Sequence, residues 1–235
     1  MANQKSLNLY AKVEDLLGVQ EASPKLYAHY LLFLQGIESH SLLDVGCGSG
    51  TFLKQMDNAL SIKKLKGIDL SPLMVEKTLT LGYEAQCIAL EKESASYSII
   101  TAVFDMLNYL NKEALALFLK DVVSHLNEGG YFLCDINTLY GFENVAVGSF
   151  IVDDEERFLT IDSDFEAGEY ISEFTLFEKE LDKFKKSQEI IKQYHHSVEE
   201  ITKLLGIPLI LKDEVFLYEE EEADKLFLVF QKKFN

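Results

Sequence analysis

Leu42-Leu43-Asp44-Val45-Gly46-Cys47-Gly48-Ser49-Gly50 is the stretch on which the fold turns. It begins as an apolar run short enough for a buried strand and ends in three glycines at alternate positions. Thr51-Phe52-Leu53 follow without a helix breaker, so a strand, a glycine-rich turn and a helix come in that order. Such a turn gathers backbone N–H groups at the helix mouth around a ligand. Glycine lets that ligand approach the backbone with no Cβ in the way. One glycine turn is a weak signal and needs a second half. That half is Leu65-Lys66-Gly67-Ile68-Asp69-Leu70, a short strand ending in an acid nineteen residues after Gly50. A carboxylate there can accept both hydroxyls of a ribose. The alternative, a tight strand–helix turn that binds nothing, explains the glycines but not the acid.

Two ligands compete for the site. A dinucleotide fingerprint, G-x-G-x-x-G, requires glycine at 51, where this chain has Thr51. The pattern is instead G-x-G-x-G preceded by an acid, Asp44. Here the sequence resembles the class I S-adenosylmethionine-dependent methyltransferases. The resemblance implies that Asp44, Gly46, Cys47, Gly48 and Gly50 hold the methionine end of that cofactor and that Asp69 holds its ribose. It further implies that Leu70 and Met74 pack behind the ribose acid against the adenine. Many members place an aspartate near position 87 for the adenine amino group, and this chain departs from them with Cys87. Adenine recognition then falls to the backbone or to neighbours such as Ala89 and Leu90, with Cys87-Ile88-Ala89 as the adenine side of the site.

Composition bounds the rest. A chain of 235 residues makes one large domain, or one domain with an inserted part. Hydrophobic residues make up 48%, ample for a core. No apolar run approaches the ~20 residues of a membrane span, and the first residues carry no signal-peptide pattern. Cysteines at 47, 87 and 134 lie in apolar or strand-like stretches, which implies no disulfide framework and fits a reducing cytoplasm. With 39 acidic against 22 basic residues the net charge is −17. That surface repels phosphate backbones and argues against a nucleic-acid substrate.

The remaining segments supply the acceptor side. Residues 8–35 read as two helices, the second opened by Ser23-Pro24 as N-cap and first helical residue. In the resembled family such helices complete the substrate pocket, which makes Tyr10 and Tyr30 candidate lining residues. Ser71-Pro72 repeats the helix-start signal. Tyr97–Phe104 is a near-continuous apolar run, as in a parallel strand buried on both faces. It delivers Asp105, Asn108 and Tyr109 at its carboxyl end, where open α/β sheets bind their ligands. A helix from Asn111 with an apolar face leads through Glu128-Gly129-Gly130 to a further strand, which ends in Asp135 and Asn137 on the same rim. Leu-Asn-Glu-Gly-Gly before an aromatic strand adds to the resemblance. No lysine or arginine stands among these rim residues in sequence, a polarity that suits an amine.

Residues 150–194 break the alternation of strand and helix. Arg157–Phe165, Glu169–Leu181 and Lys183–Tyr194 mix β-branched, aromatic and charged residues with a two-residue rhythm, as in an antiparallel meander of about three strands. The resemblance implies a lid over the active-site mouth, and the alternative is an arm for a homodimer. His195-His196 precede a capping box at Ser197. A metal is not expected there, but His196 at the hinge is a candidate base. Two last strands flank the acidic run Glu219-Glu220-Glu221-Glu222, read as a solvated hairpin tip.

The sequence therefore predicts a Rossmann-like α/β fold. A seven-stranded methyltransferase sheet spans 1–145 and 195–235, and an antiparallel β lid is inserted at 146–194. The expected activity is methyl transfer from S-adenosylmethionine to a nitrogen or oxygen of a small molecule, with Asp105, Asn108, Tyr109 and His196 as candidate catalytic residues. Tyr10, Tyr30, Asp135 and Asn137 are the candidate substrate contacts. The rivals are a non-catalytic cofactor-binding protein, a nicotinamide oxidoreductase disfavoured by Thr51, and a protein methyltransferase, which needs an open groove where the lid is expected.

Overall fold

A computed structural model describes residues 4–38, 40–218 and 221–234. The first residues, read as lacking a signal peptide, and half of the acidic tip at Glu219 and Glu220 lie outside the described residues. No helix among the described residues is long and apolar enough to cross a membrane.

Two helices come first, α1 (Gln4–Val13) and α2 (Val19–Leu34). The second begins four residues before the Ser23-Pro24 signal. Gly18, in the left-handed region at φ 67°, caps it, and its carbonyl accepts from the N–H groups of Glu21 and Ala22. Pro24 consequently falls inside the helix, where its missing N–H leaves one carbonyl of the previous turn without its usual donor. The apolar face of α2 compensates: Leu26, Tyr27, Tyr30 and Leu34 are buried against the sheet.

The nucleotide-binding half follows in order: β1 (Ser41–Val45), α3 (Thr51–Ala59), β2 (Lys64–Ile68), α4 (Pro72–Thr80) and β3 (Glu84–Gln86). Ser71 caps α4, its hydroxyl accepting from the Met74 N–H, with Pro72 at the first helical position. Then come β4 (Tyr97–Ala102), α5 (Lys112–His125) and β5 (Leu126–Asn137). After the insertion come α6 (Val198–Leu205) and two closing strands. With β6 (Gly148–Asp153), β7 (Arg157–Glu166), β8 (Glu169–Glu180) and β9 (Lys183–Tyr194) in the insertion, the closing strands are β10 (Leu209–Val215) and β11 (Lys225–Gln231).

The main sheet has the order β10-β11-β5-β4-β1-β2-β3. Strands β1 to β5 run parallel, and β11 runs antiparallel to both β5 and β10. The order reverses between β4 and β1, so the carboxyl ends of β1, β2 and β4 diverge around a crevice, the usual ligand position in an open α/β sheet. β4 is buried along nearly its whole length, as its apolar run requires. The insertion forms a separate antiparallel sheet of four strands, not three, in the order β6-β7-β8-β9. Its inner face carries Leu159, Ile161, Phe174, Leu176 and Ile191, which pack on Leu9 and Val13 of α1. Helix α1 is thus pinned between the inserted sheet and the crevice.

Candidate active site

Asp44, next to last in β1, is a buried carboxyl whose Oδ1 accepts from the Thr101 hydroxyl at 2.7 Å. Burial pushes its pKa up to about 8, against the opposing Thr101 hydrogen bond, with the charges of Asp69 and Asp135 adding to the rise. The turn that follows is tied to β2, because the Gly46 and Cys47 N–H groups both donate to the Ile68 carbonyl. The three glycines do different work. Gly48, at φ 52°, lines the cavity and has no atom nearer than 3.8 Å to the place of a Cβ. Gly50 does not line it: at φ 80° it caps α3, and a Cβ there would meet Thr78 at 2.9 Å. Its need for glycine is a packing need, between α3 and α4.

Asp69 closes the turn from the other side. Its Oδ2 accepts from the Gly48 N–H at 3.0 Å and its Oδ1 from the Ser71 N–H at 2.7 Å. Burial raises its pKa and those backbone donors oppose the rise. Together these groups line a cavity of about 310 Å³ whose wall includes Gly46, Cys47, Leu70, Met74, Ile88 and Ala89. Cys87 stays outside it, exposed, with its thiol toward the Leu70 carbonyl at 3.6 Å. The short β3 ends at Gln86, and the chain carries Ile88, Ala89, Leu90 and Glu91 to the wall instead. Glu14 and Ser49 also reach this wall; their hydroxyl–carboxylate contact is 3.1 Å. No local pattern marks Glu14, which arrives from the segment after α1.

The charges of this wall test the cofactor. Among the described residues it carries Glu14, Asp44, Asp69, Glu91 and Asp121, and neither lysine nor arginine. A pyrophosphate finds no cation there, whereas a ligand with a sulfonium and an ammonium finds carboxylates along its length. The residues fit S-adenosylmethionine and oppose a dinucleotide.

A second cavity, of about 460 Å³, opens between the strand ends and the inner face of the inserted sheet. Tyr10, Val19 and Tyr109 line both cavities and form the partition between them. Asp105 faces the second cavity from an uncommon backbone. Phe104 and Asp105 are consecutive non-glycine residues at φ 56° and 50°. Asp135 holds them there, its two oxygens accepting the Phe104 and Asp105 N–H groups at 2.8 and 2.7 Å. The Tyr30 hydroxyl donates to the same carboxylate at 2.7 Å.

Several expected site residues are therefore braces. Asp135 and Tyr30 are fully buried and line neither cavity; they secure the turn that aims Asp105. Asn108 is also buried. Its Nδ2 donates to the Tyr194 carbonyl at 2.7 Å and its Oδ1 accepts from the Asn137 N–H at 3.0 Å, joining β9 to β5. His196 turns inward as α6 begins, its Nε2 2.8 Å from the Leu110 carbonyl and its Nδ1 3.5 Å from Glu200. It reaches neither cavity. Asp105, Tyr109, Asn137 and Tyr10 do come together.

Two side chains not expected at the rim complete it. Gln193, on the inserted sheet, donates to Asp105 Oδ2 at 2.6 Å. Lys225 pairs with Asp105 Oδ1, donates to Asn137 Oδ1 at 2.6 Å, and stands 3.9 Å from Asp135. Burial acts to lower the Lys225 pKa, but the charges of Asp105 and Asp135 outweigh it and hold the ammonium above its ordinary range. The rim thus contains a cation that its sequence segments lack. Antiparallel pairing sets Lys225 opposite Asn137, and only that register could have revealed it.

Comparison with known proteins agrees with this geometry. Residues 42–130 match the family model described as a methyltransferase domain. No curated protein gives a significant sequence match. Solved structures resemble the chain along nearly all its length. An S-adenosylmethionine-dependent methyltransferase from Clostridium acetobutylicum superposes with a TM-score of 0.78 at 20% identity, over 96% of this chain and 99% of that one. The sugar N-methyltransferase KedS8 from Streptoalloteichus gives 0.73 at 14% identity, over 99% and 95%. CalS10, an amino pentose methyltransferase from Micromonospora echinaspora, gives 0.68 at 18% identity, over 91% of both chains. The chain therefore has the fold of the class I S-adenosylmethionine-dependent methyltransferases, and residues 42–130 within it are similar to a methyltransferase domain.

Proposed function

We propose that the chain transfers the methyl group of S-adenosylmethionine to the nitrogen of a small polar amine. One observation carries the reading: the carboxylate-lined cavity and the second cavity meet at Tyr10, Val19 and Tyr109, with Asp105 on the far side of that partition. The bound cofactor supplies an electrophilic methyl carbon on a sulfonium. Asp44, Asp69 and the glycine turn would hold its body, and the shared wall of Tyr10, Val19 and Tyr109 is where an acceptor in the second cavity would meet it. Alignment of acceptor and methyl carbon across the shared wall supplies most of the acceleration, as in other reactions between two bound partners. The inserted sheet walls one side of that meeting point.

The nitrogen preference rests on charge. An amine attacks in its neutral form and becomes cationic as the methyl arrives. Asp105, on the wall of the second cavity, stabilises that developing charge. Lys225 partly neutralises Asp105, yet Asp135 stands behind the same pair, so carboxylates still outnumber cations at the rim. Two of the structural neighbours, KedS8 and CalS10, are named for methylation of sugars, one of them at nitrogen, which supports an amine on a small polar molecule. Serine and tyrosine hydroxyls of the covering sheet, Ser163, Ser172 and Tyr170, line the same cavity and suit a hydroxylated acceptor.

The test is a panel of small amines and matched alcohols incubated with labelled cofactor, followed by kinetics on the best acceptor. Asp105→Asn should lower kcat/KM by ~10²–10⁴. Tyr109→Phe should cost less, because alignment carries most of the rate. Full activity of Asp105→Asn, or turnover of alcohols alone, rejects the amine.

A further inference from the structure

Glu14 and Asp15 are neighbours in sequence and point to opposite places. Glu14 lines the cofactor cavity beside the glycine turn, within 3.1 Å of the Ser49 hydroxyl. Its only cationic partner among the described residues is Lys77, at 3.4 Å and near the surface. Asp15 faces the inserted sheet and receives both arms of Arg157, at 3.0 and 2.7 Å. Arg157 is the chain's single arginine. It also donates to the Lys12 carbonyl at 2.8 Å, and Lys12 in turn pairs with Glu178 on the next strand at 2.6 Å. A forked guanidinium on a carboxylate and a helix carbonyl fixes orientation as well as distance.

We infer that Glu14 binds the α-ammonium at the amino-acid end of the cofactor, and that Asp15–Arg157 transmits that binding to the inserted sheet, so that a loaded cavity strengthens the hold of α1 on the sheet. The inference rests on S-adenosylmethionine occupying the cavity under the glycine turn. Its physical basis is the rigidity of a two-residue link. An ammonium on Glu14 restrains the backbone of the 14–15 pair, and a restrained Asp15 holds its fork on Arg157 more firmly. Coupling between sites of this kind is reciprocal: whatever ligand binding gives the sheet, sheet closure gives the ligand.

The experiment uses two probes that differ only at the amino-acid arm. S-adenosylhomocysteine carries the ammonium and carboxylate, and 5′-methylthioadenosine lacks both. By calorimetry, Glu14→Gln should weaken S-adenosylhomocysteine roughly ten- to a hundredfold, the loss of one charge-assisted hydrogen bond, while methylthioadenosine changes by less than about twofold. Glu14→Asp, which keeps the charge, should recover part of the loss. By hydrogen exchange, S-adenosylhomocysteine should slow the amides at the Arg157 end of β7 and the Glu178 end of β8 in the native chain, and methylthioadenosine should not. In Asp15→Asn and Arg157→Lys that remote protection should vanish while the glycine turn remains protected. Equal effects of Glu14→Gln on the two probes overturn the ammonium contact, and remote protection that survives Asp15→Asn overturns the transmission. If neither probe binds the native chain, the cofactor reading itself fails and takes this inference with it.

Discussion

At the scale of single residues, Asp44 is the group whose chemistry depends most on its surroundings. Its pKa is pushed up to about 8, chiefly by burial, from an ordinary value of 3.8. The sign follows from linkage: the folded state binds the proton more tightly than the unfolded state, so stability is lost as pH rises across that window. Asp44→Asn should therefore melt at a higher temperature than the native chain at pH ~8 and show little advantage near pH ~4, which thermal unfolding at the two values checks. A cationic ligand reverses the preference, because it favours the carboxylate. Binding of S-adenosylmethionine near pH ~7 should then expel a proton, seen as a calorimetric enthalpy that varies with the ionisation heat of the buffer, and Asp44→Asn should reduce that variation. Affinity should fall as pH drops below 8. Asp69, half-buried at the mouth of the turn, should behave as an affinity group: Asp69→Ala should weaken the cofactor roughly ten- to a hundredfold by calorimetry. Both acids were legible in the sequence because each sits at the end of a strand in a fixed local pattern. Lys225, Gln193 and Glu14 were not, because they reach the site through strand register and a helix packed from another part of the chain.

At the scale of elements, local signals and tertiary packing gave different answers in α2. Ser23-Pro24 is a sound helix start taken alone, yet Gly18 supplies an earlier cap and the buried face from Leu26 to Leu34 holds the helix in place. An interior proline costs up to ~3 kcal/mol relative to alanine, offset in part by the freedom it removes from the unfolded chain. Pro24 is exposed, so Pro24→Ala creates no cavity. It should raise stability by about 1–2 kcal/mol in denaturant unfolding; a loss would mean that the proline ring itself packs in α2. Where caps and packing agreed, the sequence was accurate. Ser71 and Ser197 each accept from the N–H three residues on, as their capping patterns implied. The insertion lay between these cases. Its two-residue rhythm marked an antiparallel sheet, but β6 went unread because Gly148–Asp153 carries no alternation of burial, being exposed along most of its length.

At the scale of the whole molecule, the two sheets are joined through α1. Considered as a sequence insertion, 146–194 looks separable from cofactor binding, and its removal is expected to spare the cofactor. The structure argues otherwise. Leu9 and Val13 of α1 are buried against Leu159, Ile161, Phe174, Leu176 and Ile191 of the inserted sheet, and the same helix places Leu7 and Tyr10 on the cofactor cavity. Without the sheet those two apolar side chains are re-exposed, at a cost of about 1.5–3 kcal/mol for each one fully returned to water. The helix, only ten residues long, is too short to persist in isolation. Replacing the insertion with a short Gly-Ser linker should therefore abolish methyl transfer and also weaken S-adenosylhomocysteine by at least about tenfold. Circular dichroism should still report the main sheet, whose core lies in a different cluster of buried residues. Cofactor affinity that survives the deletion unchanged would show that α1 stays seated without its cover. A deletion variant that remains active and changes from dimer to monomer would show that the inserted sheet serves association between copies, and that the second cavity is not where the acceptor binds.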